Sequence, residues 1–97
     1  MLDVVLQELT PDDDNVLEFQ EPGEAFLVKN FTDADIKVKV DDAEGSVTIP
    51  AQSWQLVLIN FTGAYPRELH KTDHIIVTGS GAGNVEAQRI DRAGYPL

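Results

Sequence analysis

The side chains able to do chemistry in this 97-residue chain are few, and none stands in a pattern that demands catalysis. His70 and His74 are the only histidines, four apart. On a helix that spacing would put both on one face and could seed a zinc site. Lys71 and Thr72 intervene where a metalloprotease helix would carry its Glu, and His74 runs straight into Ile75-Ile76-Val77, a strand pattern. Two loop histidines near a strand start is the expected reading. Asp12-Asp13-Asp14 and Asp41-Asp42 with Glu44 are rich enough in oxygen for calcium, but neither segment places the Gly and terminal Glu of a twelve-residue calcium loop. Gly79-Ser80-Gly81-Ala82-Gly83 lacks the Lys and the following helix of a phosphate loop, and reads as a flexible hairpin tip. Ser46, Ser53 and Ser80 have no nucleophile-elbow context. The expectation is no enzyme, no catalytic residue, no cofactor and no metal ligand.

Composition narrows the partners. The chain holds 17 acidic and 7 basic side chains, a net charge of −10, and no cysteine. The excess sits in residues 1–44, with 13 acidic and 3 basic groups; residues 45–97 hold 4 of each. Direct binding to nucleic acid or an anionic membrane needs basic patches that this balance argues against. Lack of cysteine excludes a disulfide framework and a thiol nucleophile. No basic leader with an apolar core is visible, so no signal peptide is expected and synthesis in a cytoplasm is.

The elements that would position these groups are strands. Ile36, Val38 and Val40 alternate with Lys37 and Lys39, the pattern of a strand with one wet face. Val16 to Gln20 places Leu17 and Phe19 inward and Glu18 outward. Ser46 to Ile49 and Val85 to Gln88 alternate likewise, while Phe26-Leu27-Val28, Trp54 to Ile59 and Ile75-Ile76-Val77 are apolar on both parities. Glu21-Pro22-Gly23-Glu24 is a type II turn candidate. Thr32 to Asp35 and Asp41 to Gly45 punctuate the chain as hairpins would. One helical turn is possible at Pro66 to His70. Regular short strands with turns at this spacing predict an all-β fold, a single small antiparallel β-sandwich of jelly-roll or immunoglobulin-like type. Residues 1–10 form an N-terminal arm or edge strand, 11–92 the sandwich, and 93–97 a tail.

Asn30-Phe31-Thr32 and Asn60-Phe61-Thr62 each end an apolar strand. Both fit the N-glycosylation pattern, but structural corner asparagines are the preferred explanation. Trp54, Tyr65 and Tyr95 could form a sugar-stacking platform, although Trp54 opens an apolar strand and is expected in the core.

The Glu21-Pro22-Gly23-Glu24 turn, the strand ending Phe26-Leu27-Val28-Lys29-Asn30, and Val47-Thr48-Ile49-Pro50-Ala51 leading into Trp54 give the chain a family likeness. Over residues 16–90 it resembles small β-sandwich accessory proteins of tailed-bacteriophage virions. The resemblance implies a capsid decoration or head-associated protein, located in the virion, binding other virion proteins such as the major capsid protein and forming a homo-oligomer. The alternatives are an acidic inhibitor or nucleic-acid mimic, and a small carbohydrate-binding module.

The doubly apolar strands add a physical reason for an interface. In the Trp54 strand, Trp54, Leu56 and Leu58 take one face and Val57 and Ile59 the other. One core absorbs one face, so Val57 and Ile59 are expected to face a neighbour. Leu2, Val4, Val5 and Leu6 in the N-terminal segment, and Tyr95 and Leu97 in the tail, are expected to join them.

Overall fold

The computed structural model describes residues 3–40, 46–58 and 71–90. They form eight strands: β1 (Val4–Glu8), β2 (Asn15–Gly23), β3 (Ala25–Asn30), β4 (Ile36–Val40), β5 (Val47–Ile49), β6 (Ser53–Leu58), β7 (Thr72–Gly79) and β8 (Asn84–Ile90). One sheet has the order β1-β8-β3-β6 and the other β2-β7-β4-β5, with every neighbouring pair antiparallel.

These orders have a simple origin. β1 pairs with β8, β2 with β7, β3 with β6 and β4 with β5. The four pairs are nested, as in one long hairpin rolled onto itself. This is the jelly-roll arrangement, the first of the two sandwich types expected from the sequence. A consequence is that only the β4–β5 connection stays within one sheet; every other connection crosses between sheets.

Three turn expectations are corrected by that crossing. Glu21-Pro22-Gly23-Glu24 is not a type II turn: Pro22 and Gly23 lie inside β2, and Gly83 is the glycine with positive φ among the described residues. β2 is an edge strand, and its register against β7 shifts between Glu18 and Gly23, the kind of place a strand tolerates proline. Thr32 to Asp35 links strands of different sheets. The glycine-rich segment after β7 does the same, and it is held on both sides rather than forming a flexible hairpin tip. Leu9 N–H donates to Gly83 O (2.9 Å), Asp12 N–H to Gly79 O (2.7 Å) and Asp33 N–H to Ala82 O (3.3 Å). Gly83 has φ 135°, and a Cβ there would lie 2.9 Å from Phe31 O, so both conformation and space call for glycine.

Alternation works as the sequence predicts. Ile36, Val38 and Val40 are buried and Lys37 and Lys39 exposed; Leu17 and Phe19 are buried and Glu18 exposed. These side chains meet Phe26, Val28, Val57, Ile75, Val77 and Val85 between the sheets. Phe19 and Phe26 pack ring on ring across the sandwich, with centroids 4.9 Å apart. The N-terminal segment is the edge strand β1 of the first sheet, and Leu9 beyond it is in the core. The possible helical turn at residues 66–70 and the tail at 93–97 lie outside the described residues.

Buried polar groups fix the crossings. Asn30 ends β3 with no exposed surface. Its Nδ2 lies 2.9 Å from Ala34 O, 3.0 Å from Ile49 O and 3.1 Å from Pro50 O. Its Oδ1 accepts from Thr32 N–H (2.9 Å) and faces Thr32 Oγ1 at 2.6 Å. The expected corner asparagine is therefore a rivet between the two sheets. Asn60, its sequence echo, lies outside the described residues. Asn15 plays a similar part at the other crossing: Nδ2 reaches Val77 O at 3.1 Å and Asp13 O at 2.9 Å, while Oδ1 accepts from Thr10 N–H at 2.8 Å.

At the opposite end, Asp3 joins three strands. Its Oδ2 accepts from Arg89 Nε at 2.8 Å, and its carboxylate accepts from Gln20 N–H at 3.1 Å and Glu21 N–H at 3.4 Å. Arg89 N–H donates in turn to Asp3 O at 3.0 Å. The Arg89 stem passes over Gly23, where a Cβ would lie 2.6 Å from Arg89 Cδ. Burial pushes the Asp3 carboxyl up, but the Arg89 and backbone hydrogen bonds and the Arg89 charge outweigh it and hold the group below its ordinary value.

Two outcomes test this framework. Asn30→Ala leaves buried carbonyls and an amide without partners, and should cost about 3 kcal/mol in urea unfolding. The depressed Asp3 carboxyl contributes stability that is full above its unfolded pKa, near 4, and is lost as pH falls through the lower folded value. Asp3→Asn should therefore flatten the loss of melting temperature at acid pH; an unchanged acid slope would show that the pair contributes nothing.

Candidate interaction surface

The candidate site is an exposed sheet face, and its composition follows from the register of β3. β3 lies inside the first sheet, paired on both edges. Phe26 and Val28 point into the core, so Leu27 and Lys29 point out. Across β6, Phe26 pairs with Val57, Leu27 with Leu56 and Lys29 with Trp54. Paired residues share a face, so Val57 goes inward and is 2% exposed, while Trp54, Leu56 and Leu58 go outward at 68%, 39% and 43%.

This reverses two expectations. Val57 belongs to the core rather than to an outer interface, and Trp54 lies on the surface rather than in the core. Both parities of this strand are apolar, so its own pattern gave no preference. The parity of β3 decides, and it turns the larger side chains outward. A one-residue slip would exchange the two sets.

The same register builds rows across the whole sheet. β1 pairs Val4 with Gln88 and Leu6 with Glu86; β8 pairs Gln88 with Leu27 and Glu86 with Lys29. One outer row thus reads Leu6, Glu86, Lys29, Trp54, and the next Val4, Gln88, Leu27, Leu56. Lys29 Nζ and Glu86 Oε2 form an ion pair of 3.6 Å at the centre of the first row. Leu6 is 63% exposed and Val4 40%, whereas Val5 faces the other way and packs against the core. Of the residues expected at an interface, Val4 and Leu6 are therefore brought to the face of Trp54. Leu2, Ile59, Tyr95 and Leu97 lie outside the described residues, as does Tyr65.

The outer face of the second sheet is unlike the first. It presents Glu18, Lys37, Lys39, Thr48 and Thr78 around Val16 and Ile76. A shallow open depression of about 250 Å³ is lined by Asp14, Lys37, Lys39, Ser46, Ile76 and Thr78. Among the described residues neither lysine makes an ion pair.

The sequence candidates for catalysis and metal binding are not gathered at one place. His74 Nδ1 lies 3.0 Å from Asp73 Oδ1 and 3.4 Å from Thr72 Oγ1; His70 is outside the described residues. Asp12, Asp13 and Asp14 occupy the β1–β2 loop, with Asp33 and Asp35 in the β3–β4 loop at the same end of the sandwich. Asp33 Oδ1 is taken up by Ala82 N–H at 3.0 Å. Among the described residues no group of three or more His, Cys, Asp or Glu is placed to hold a metal ion. Asp41, Asp42 and Glu44 fall outside them.

No family model, curated protein or solved structure matches the chain.

Trp54 is the only tryptophan, so its fluorescence reports on this face alone. In dilute solution its emission should be that of a water-exposed indole, quenched by acrylamide nearly as well as free tryptophan. A blue-shifted, protected signal under those conditions would contradict the outward parity of β6.

Proposed function

We propose that this protein is a non-enzymatic structural component of a larger assembly, working by surface complementarity, and more specifically an accessory protein on the capsid of a tailed phage. The observation that carries the reading is the outer face of the β1-β8-β3-β6 sheet, where Trp54, Leu56, Leu58, Leu6 and Val4 are exposed together. Large apolar side chains exposed together on one sheet face are a mark of protein contacts. The jelly roll is one of the architectures from which capsid and lectin domains are built, which makes the virion reading compatible with the fold without establishing it. In this reading the chain contributes no catalysis and no cofactor, and its partner is the major capsid protein or another virion protein.

A second reading rests on Trp54 alone. An exposed indole beside Lys29 offers a stacking plane with a polar neighbour, as a carbohydrate-binding module would. Its apolar flank of Leu56 and Leu58 favours a protein surface over a sugar.

The two readings separate experimentally. Mass spectrometry of particles purified from producing cells should find the chain in stoichiometric proportion to the shell protein. Its absence from such particles would remove the virion reading. Titration of Trp54 fluorescence with a panel of glycans should leave the emission unchanged, and saturable quenching would favour the carbohydrate reading.

A further inference from the structure

We infer that the outer face of the β1-β8-β3-β6 sheet binds a second copy of this chain, sheet on sheet, about a twofold axis running parallel to the strands. The inference deepens the structural reading above by naming the partner for that face. It rests on the order of side chains across the sheet. The row Leu6, Glu86, Lys29, Trp54 is apolar, acidic, basic, apolar. A twofold axis along the strands, between β8 and β3, lays β3 of one copy over β8 of the other and β6 over β1. Each Lys29 then meets the partner's Glu86, and each Trp54 meets the partner's Leu6. The next row obeys the same rule at its ends, Leu56 meeting the partner's Val4.

Self-complementarity of this kind is what an isologous interface requires. An axis across the strands fails, because it would set the charged row against Ala25 and Ile90, which have the outward parity but are buried. Charge permits pairing on this face. The chain carries a net charge of −10, so two copies repel over most of their surface. Among the described residues of this face Lys29 and Glu86 cancel and leave Glu8 at the β1 margin as the one unbalanced charge, whereas the loop end bearing Asp12, Asp13, Asp14, Asp33 and Asp35 stays acidic. Packed sheets keep their strands within about 30° of one another at a spacing of ~10 Å, which an axis along the strands allows.

The test is a charge swap read by analytical ultracentrifugation of the full chain at ~0.15 M salt, where the Debye length of ~8 Å limits repulsion between the acidic ends. The wild type should form a dimer, with Trp54 becoming protected from acrylamide as concentration rises. Lys29→Glu and Glu86→Lys each place like charges opposite one another twice per dimer. Each should raise the dissociation constant by at least about tenfold. The double variant restores every opposition and should recover the dimer. Circular dichroism melts check that the variants fold, and Trp54→Ser, which changes no charge, should weaken association on its own. A wild type that stays monomeric at its highest soluble concentration overturns the inference and leaves the face to a partner of different sequence. A dimer indifferent to both single reversals, or a trimer or larger ring, overturns it equally. Failure to find the chain in particles removes the virion reading and leaves the dimer standing; a monomer removes the dimer and leaves the virion reading to its own test.

Discussion

The side-chain amide of Asn30, with no exposed surface, is bonded to carbonyls from both the β3–β4 and β5–β6 connections. In a sandwich whose chain changes sheet at nearly every connection, each crossing drags backbone polar groups through the space between the sheets. Those groups must be paired there, because water is excluded. Asn30 does this for two crossings at once and thereby fixes where β3 ends and which way it faces. The inward direction of Phe26 and Val28 follows, and with it the outward direction of Leu27 and Lys29. β6 and β8 inherit their parity from β3 through the ladder. The apolar outer face is thus a remote result of one buried side chain.

The two outer faces of the sandwich show how differently the same alternation can be used. On the second sheet, lysines, threonines and Glu18 make an ordinary wet surface. On the first, alternation still separates inside from outside, but the outside carries large apolar side chains at both margins and a charge pair at its centre, with Glu8 at the end of β1. Fold stability does not ask for that composition. Trp54 at the surface contributes little to the core that Val57 already fills. The interface proposed above would give these residues a reason to be large and apolar.

Much of the architecture was legible where a strand has one wet face. Residues 36–40 declare their parity because Lys37 and Lys39 cannot be buried unpaired, and Leu17, Glu18 and Phe19 do the same. The Trp54 strand declared nothing, since both its parities are apolar and only the register against β3 distinguishes them. Turn residues misled in a related way. Pro22-Gly23 and the glycines after β7 are turn formers by local chemistry, yet the choice between a hairpin and a sheet crossing is made by nesting of distant strands. The Asp3–Arg89 pair was invisible for the same reason: its members are 86 residues apart. The candidate face was anticipated in kind, through the doubly apolar strands and through Val4 and Leu6, but with the wrong side of β6.

The nesting that places β1 beside β8 also sets the order in which the molecule can become whole. Neither sheet can be assembled from one half of the chain: the first needs β1, β3 and β6 together with β8, and β8 lies between β1 and β3. A ribosome releasing this polypeptide therefore exposes Phe26, Val28 and Val57 before the strand that completes their sheet has been made. Loop closure over such separations is slow compared with hairpin formation. During that interval the uncharged β6 is a bare strand among its own nascent copies. The acidic bias of residues 1–44, which emerge before β6 and β8, then acts as a kinetic safeguard: it keeps unfinished chains apart until the closing strand arrives.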